Sequence, residues 1–179
     1  MHPLLVLLLL SAFLPMPALA RDASVDIGKL EGVYRKREQN GDSSGAKYMT
    51  ADVLKIVQLE KGLAYVDIEL HFFNGHECSL SGLAEMKGVL VHRNDERGAD
   101  KPCELHITPA RGRISLFDAS GHCRSGSCGA RGGYDTEFSL ARRQKMSAQE
   151  RRKILADAKE KIAEHKSRKK AQPEAKPQP

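Results

Sequence analysis

The stretch Ala64–Ala84, AYVDIELHFFNGHECSLSGLA, decides the fold. On both sides of Asn74-Gly75 the apolar residues recur at every second position, the period of a strand with one buried face. Val66, Ile68, Leu70 and Phe72 make the core face of the first strand, and Cys78, Leu80, Gly82 and Ala84 that of the second. The loop length sets the pairing. A two-residue turn at Asn74-Gly75 would place Leu70 opposite Ser79 and mix apolar with polar positions. A three-residue loop, Phe73-Asn74-Gly75, with Gly75 left-handed, pairs Leu70 with Cys78 and Ile68 with Leu80. The longer loop is the expectation.

Outward from this hairpin the same period predicts eight strands: Ile27 to Glu38, Val53 to Leu59, Leu63 to Phe72, His76 to Ala84, Val89 to Arg93, Cys103 to Thr108, Arg113 to Asp118 and Tyr134 to Arg142. Turn signals every eight to twelve residues mark an all-β chain, a small eight-stranded antiparallel barrel or sandwich. CELHITPARGRISLFD should close through Pro109 to Gly112, with Ile107 opposite Ile114 and Leu105 opposite Leu116. The last strand should turn Tyr134, Thr136, Phe138 and Leu140 inward. The pattern then changes to MSAQERRKILADAKEKIAEHKSRKK, where Ser147 and Glu150 form a capping box. Lys153/Asp157, Asp157/Lys161 and Glu164/Arg168 stand at i,i+4 spacing. Leu155, Ala158 and Ile162 give this helix a thin apolar stripe, which suits a solvated or loosely docked element.

Residues 1–20, MHPLLVLLLLSAFLPMPALA, read as a signal peptide ending in a small-x-small site, with the mature chain starting at Arg21. The apolar run is too short to span a bilayer, which takes roughly 20 residues, so a periplasmic or secreted rather than transmembrane protein is expected. The organisation is a barrel domain over 21–142, a basic helical extension over 143–170 and a disordered tail over 171–179. In an oxidising compartment four cysteines read first as two disulfides. Cys123 and Cys128 enclose the short spacer RSGS, and Cys78 and Cys103 both fall on core-facing strands. The favoured pairing is therefore Cys78–Cys103 with Cys123–Cys128. Zinc would need two close ligand pairs, and Cys123-x4-Cys128 stands alone.

The net charge of +6 is unevenly spread. Residues 21–141 carry 16 Lys and Arg against 18 Asp and Glu, a charge of −2, and residues 142–179 carry 13 against 5, a charge of +8. Export, and the lack of any aromatic residue beyond Phe138, argue against nucleic acid, whose single-strand binders interleave aromatics with basic groups. Anionic envelope polymers or lipid head groups are the partners that a basic tail would meet. Asp67, Glu69 and His71 alternate on one strand face beside His76; alternation produces such solvent-facing stripes, and no metal or cofactor is expected. His92 and His106 fall on outward positions. There is no H-E-x-x-H, and GDSSG, Gly41 to Gly45, has the G-x-S-x-G spacing without the following helix that a nucleophile elbow needs, so binding is expected rather than catalysis. GARGGYD could form a nest of backbone N–H groups for an anion with Arg131 assisting, or a turn in which glycine supplies freedom of φ.

Two resemblances add to this. From about Gly32 to Leu140 the chain resembles a group of uncharacterised bacterial periplasmic proteins marked by Asn74-Gly75-His76-Glu77-Cys78 and Cys128-Gly129-Ala130-Arg131-Gly132. The stretch SSGAKY, Ser43 to Tyr48, resembles the Ser-Gly-Ala-Lys-Tyr loop of membrane-bound inhibitors of C-type lysozyme, although this chain has no Trp and a different cysteine framework. That likeness implies an eight-stranded barrel pushing Ser44, Lys47 and Tyr48, with Lys61 of a Lys-Gly turn, into a lysozyme cleft. The expectation is a lysozyme-inhibitor-like binding protein. The alternative is an envelope protein, tethered to cell-wall or lipid material by Arg151 to Lys170.

Overall fold

A computed structural model describes residues 26–94 and 101–171. The expected signal peptide, 1–20, and the expected disordered tail beyond 171 lie outside the described residues. Eight strands follow one another in a single antiparallel sheet whose spatial order is the chain order: β1 (Gly32–Gly41), β2 (Lys47–Glu60), β3 (Leu63–His71), β4 (Glu77–Lys87), β5 (Val89–Asn94), β6 (Cys103–Ala110), β7 (Arg113–Asp118) and β8 (Thr136–Ser139). The sheet curls into a nearly closed barrel. At the seam Lys36 Nζ of β1 donates to Thr136 Oγ1 of β8 at 3.1 Å, and Val33 and Gln144 exchange backbone hydrogen bonds of 3.0 and 2.9 Å. Tyr34, Leu54, Ile68, Leu90, Ile107 and Phe138 are among the fully buried side chains of the interior. Closing the sheet protects its edges from foreign strands.

Short helices plug both ends. α1 (Ile27–Leu30) seals the end at which β1 begins, where Ile27 and Leu30 join the core and the Tyr34 hydroxyl donates to the Leu30 carbonyl at 2.7 Å. This corrects the expected strand start at Ile27: Asp26 accepts from Gly28 N and caps a helical turn instead. α2 (Cys123–Ser127) covers the other end and buries Cys123.

The decisive hairpin has the expected register, Leu70 opposite Cys78 and Ile68 opposite Leu80. Its loop is a 3-10 turn, Phe73–Gly75, in which Asn74 (φ 59°) and Gly75 (φ 68°) are left-handed. The β6–β7 hairpin is tighter than expected. Arg111 (φ 49°) and Gly112 (φ 79°) form a two-residue connection, Ala110 pairs with Arg113, and Ile107 faces Leu116 rather than Ile114. The shift is two residues, so the faces are unchanged. Pro109 sits inside the strand because β5 pairs β6 only as far as Ile107, leaving Pro109 at a local edge where its missing N–H costs nothing.

The last strand is short. Thr136–Ser139 pairs with β7, and Leu140–Arg142 forms a 3-10 turn, although Tyr134 and Phe138 are buried as expected.

α3 (Ala148–Ala171) starts where the capping box places it, with Ser147 Oγ accepting from Glu150 N at 3.1 Å. It is neither solvated nor loosely docked. Ile154 and Ala158 are buried on the outside of the barrel with Val33, Val57, Tyr65 and Met146, and Leu155 and Ile162 flank them. Ion pairs fasten the edges: Arg151–Glu31 at 3.0 Å, Lys55–Glu150 at 3.5 Å, His165–Glu85 at 3.1 Å and Lys166–Glu60 at 3.3 Å. The basic helix thus lies on the acidic domain. Among the described residues only Glu164–Arg168 of the three expected i,i+4 pairs forms, at 3.1 Å. Lys161 reaches the Ser81 carbonyl and lies 5.9 Å from the Tyr65 ring centre.

Both disulfides differ from the expected pairing. Cys78 is bonded to Cys128 and Cys103 to Cys123. The cause is α2. Residues five apart across a helical segment are rotated by about 140° at 3.6 residues per turn, so Cys123 and Cys128 diverge. Cys123 points inward to Cys103, while Cys128 leaves the helix in extended backbone and forms a bridge with Cys78.

Candidate binding rim

At the end of the barrel that α2 covers, three loops from distant parts of the chain meet. The first, 42–46, is the β1–β2 connection. Asp42 Oδ1 accepts from Ser44 N at 2.9 Å, Ser44 Oγ at 2.5 Å and Ala46 N at 3.1 Å, which fixes the loop. The Ser44 hydroxyl, followed by the backbone amides, holds the Asp42 carboxyl below its ordinary range. Gly45 is left-handed at φ 88°, and the close of the turn requires it.

This loop is locked to the β3–β4 loop. Ser43 N donates to Asn74 Oδ1 at 3.3 Å, and Gly75 N donates to the Tyr48 hydroxyl at 3.0 Å. Phe73 is still exposed at 39% and carries the Arg131 guanidinium 5.1 Å above its ring centre, a cation–π contact. Arg131 brings in the third loop, GARGG. Gly129 N donates to Glu77 O at 2.8 Å, and a Cβ on Gly129 would come 2.6 Å from His76 Nδ1. Gly132 lies against the Cys78–Cys128 bridge with no room for a side chain. The glycines therefore serve close approach of the chain to His76 and a disulfide, and the side chain that the loop presents is Arg131.

Ser44, Lys47, Tyr48 and Arg131 thus share one rim. Lys61 does not join them. It occupies the β2–β3 turn beside left-handed Gly62, at the far end of β2. β2 has 14 residues, and at roughly 3.3 Å per residue its ends lie on the order of 40 Å apart along the strand. Asp42 and Phe73 are rim residues that sequence reasoning missed. The signal for Asp42 was its place two residues before Ser44, the spacing of a side chain that closes its own turn. For Phe73 it was the pair Phe72-Phe73, which breaks alternation so that only Phe72 packs on the core.

The other candidates have structural occupations. All four cysteines are in disulfides. Asp67 pairs with Lys55 at 3.0 Å, and His71 lies 3.4 Å from Glu69 and 3.3 Å from Glu77. His106 pairs with Glu104 at 2.9 Å. His92 is not on the outer face: it is 4% exposed and fills the interior space left by Gly82. Asp52 is also buried, accepting from His71 N at 2.8 Å, and burial raises its carboxyl. No family model, curated protein or solved structure matches the chain.

Proposed function

We propose that the protein is an exported, non-catalytic binding barrel that meets a macromolecular partner through the rim of Ser44, Lys47, Tyr48, Phe73 and Arg131. The observation that carries this reading is the mutual locking of three loops that share no strand, through Tyr48–Gly75, Ser43–Asn74 and Arg131–Phe73. A surface fixed before contact loses little entropy on binding. Its exposed aromatic and arginine side chains are types enriched in interfaces. Export is supported by two disulfides that use every cysteine, and no helix among the described residues is long and apolar enough to cross a membrane.

The most concrete partner is a C-type lysozyme, with Lys47 and Arg131 meeting catalytic carboxylates. Lys61 drops out of that contact set because of its position, and the Ser44 hydroxyl donates to Asp42 before any partner arrives. Inhibition of a C-type lysozyme by the purified mature chain, and its loss on Lys47→Ala with Arg131→Ala, would support the proposal; no inhibition at micromolar protein would remove lysozyme as the partner.

A second reading has its own observation. Arg152, Lys153, Lys159 and Lys170 stay exposed on the face of α3 turned away from the barrel, where anionic envelope material could gather. Salt-sensitive retention on envelope fragments that disappears when these four become Gln would favour the helix as a tether.

A further inference from the structure

Where β1 runs beside the segment that follows β8, the barrel flank carries a groove of about 500 Å³ lined by Arg35, Arg37, Ala141, Arg142, Arg143 and Gln144. Four of these six residues are arginine and none is acidic. The Val33–Gln144 bridge brings Arg142 and Arg143 alongside the outward-facing Arg35 and Arg37. Two guanidiniums are anchored: Arg35 Nη1 donates to Gln144 Oε1 at 2.6 Å, and Arg143 Nη1 donates to the Lys29 carbonyl. Arg37 and Arg142 have no side-chain hydrogen bond or ion pair among the described residues. The carboxylates of the neighbouring strands are engaged elsewhere, Glu137 with Arg113 and Glu38 with Lys36.

Gathering like charges without a counter-charge is unfavourable. Lys55 and Arg113 have a carboxylate partner, Asp67 and Glu137; the four arginines here lie together with no acidic residue in the lining. A guanidinium offers a planar fork of donors that fits the oxygens of a phosphate two at a time. One carboxylate would neutralise a single arginine, whereas a diphosphate concentrates two to three charges within the reach of several.

We propose that the groove is an anion site for a ligand bearing a diphosphate or a phosphate monoester. Arg35 and Arg143 are held in place beforehand, and Arg37 and Arg142 are free to close on the ligand's oxygens. The groove is open-sided, so the phosphate can be the terminal group of a larger carrier. The site is separate from the rim and independent of the binding reading above.

The test is titration calorimetry of the mature chain with inorganic pyrophosphate at low salt, beside co-sedimentation with phosphatidylcholine vesicles containing phosphatidic acid. Saturable binding of pyrophosphate is expected. Arg37→Gln with Arg142→Gln should weaken it by about tenfold or more and leave the melting temperature in place, because neither side chain holds a structural bond. Lys61→Gln with Lys101→Gln, two exposed lysines that do not line the groove, should leave it unchanged. Pyrophosphate binding without vesicle binding points to a soluble phosphorylated ligand; vesicle binding lost in the arginine variant points to a lipid headgroup. Absence of saturable binding to both probes, or equal weakening by the lysine variant, overturns the proposal.

Discussion

Gly82 of β4 and His92 of β5 face each other inside the barrel, so closely that a Cβ on Gly82 would lie 2.6 Å from the imidazole Cε1. The register explains the vacancy. Ladder pairing between these strands runs from Lys87–Val89 to Ala84–His92 and goes no further. At the split His92 Nδ1 donates to the Leu83 carbonyl at 2.8 Å, while Nε2 is buried without a partner. The bare Nε2 fits a neutral ring whose proton is on Nδ1.

This arrangement predicts a loss of stability in mild acid. Burial first, with a smaller contribution from Lys161, holds His92 below its ordinary range, although the Leu83 bond acts in the opposite sense. A histidine whose folded pKa is depressed binds its proton more readily when unfolded. Stability should therefore be fully present above the unfolded pKa of about 6.5 and fall as pH drops below it. The raised carboxyl of Asp52 acts with the opposite sign, gaining a proton more readily in the fold. Thermal melts at several pH values from 8 to 5 should show a decline that His92→Leu flattens; an unchanged slope in the variant would refute His92 as the cause.

Gly132 should not tolerate alanine. Its Cβ would run into Cys78 Sγ and lie 3.1 Å from Cys128 Cβ, and neither atom is the free end of a flexible chain. Overpacking of this kind costs roughly 1–3 kcal/mol. Gly133, with nothing within 4 Å of the corresponding position, is the control: Gly133→Ala should melt with the wild type, and Gly132→Ala well below it. Equal melting temperatures would show that the loop moves aside freely.

The disulfide pairing can be read directly by mass. Trypsin cuts after Arg124, between Cys123 and Cys128. The non-reduced digest should join Gly62–Lys87 to Ser125–Arg131, and Gly98–Arg111 to Ile114–Arg124. A species joining Ile114–Arg124 to Ser125–Arg131 would mean that Cys123 bonds Cys128 after all. With a sequence separation of 50, removing the Cys78–Cys128 link through paired alanines should cost about 4 kcal/mol in the chain-entropy account. Loss of the far end's packing is not expected, since α1 plugs it independently.

What could be read from the sequence was whatever depends on alternation. The hairpin through Asn74-Gly75, its register and the inward set of β3 and β4 follow from apolar residues two apart. What could not be read depends on contacts between segments far apart. RSGS looks like a spacer, yet over Cys123–Ser127 it is a helical turn, and that turn redirects both cysteines. In the first part of β2, Lys47 to Asp52, the face in phase with Leu54 and Ile56 carries Tyr48, Thr50 and Asp52, while Met49 and Ala51 fall on the other, so alternation marks no apolar core face there. His92 looked like an outward polar residue because the hole made for it belongs to Gly82 on another strand. At the rim, Ser44, Lys47 and Tyr48 were singled out by a short likeness, but their neighbours Phe73 and Arg131 arrive through the β3–β4 loop and the glycine loop. Only the folded chain brings those together.

The docking of α3 supplies the last prediction. Ile154 is 5% exposed and Ala158 fully buried against Val57 and Tyr65, so the helix covers apolar surface that the barrel would otherwise show to water. Ile154→Ala removes buried methyl groups and leaves a gap, a change that costs roughly 2–4 kcal/mol at a closed site. Lys166→Ala breaks only an exposed pair with Glu60, at 55% and 52% side-chain exposure, and such pairs contribute about 0–1 kcal/mol. Urea melts should therefore separate the two variants clearly. Ending the chain before Ala148 should let the barrel bind an apolar dye that the full-length protein excludes. A near-wild-type midpoint for Ile154→Ala, together with no dye binding by the shortened chain, would mean that the helix stands away from the barrel in solution, and the ion pairs of Arg151 and His165 would then form only transiently.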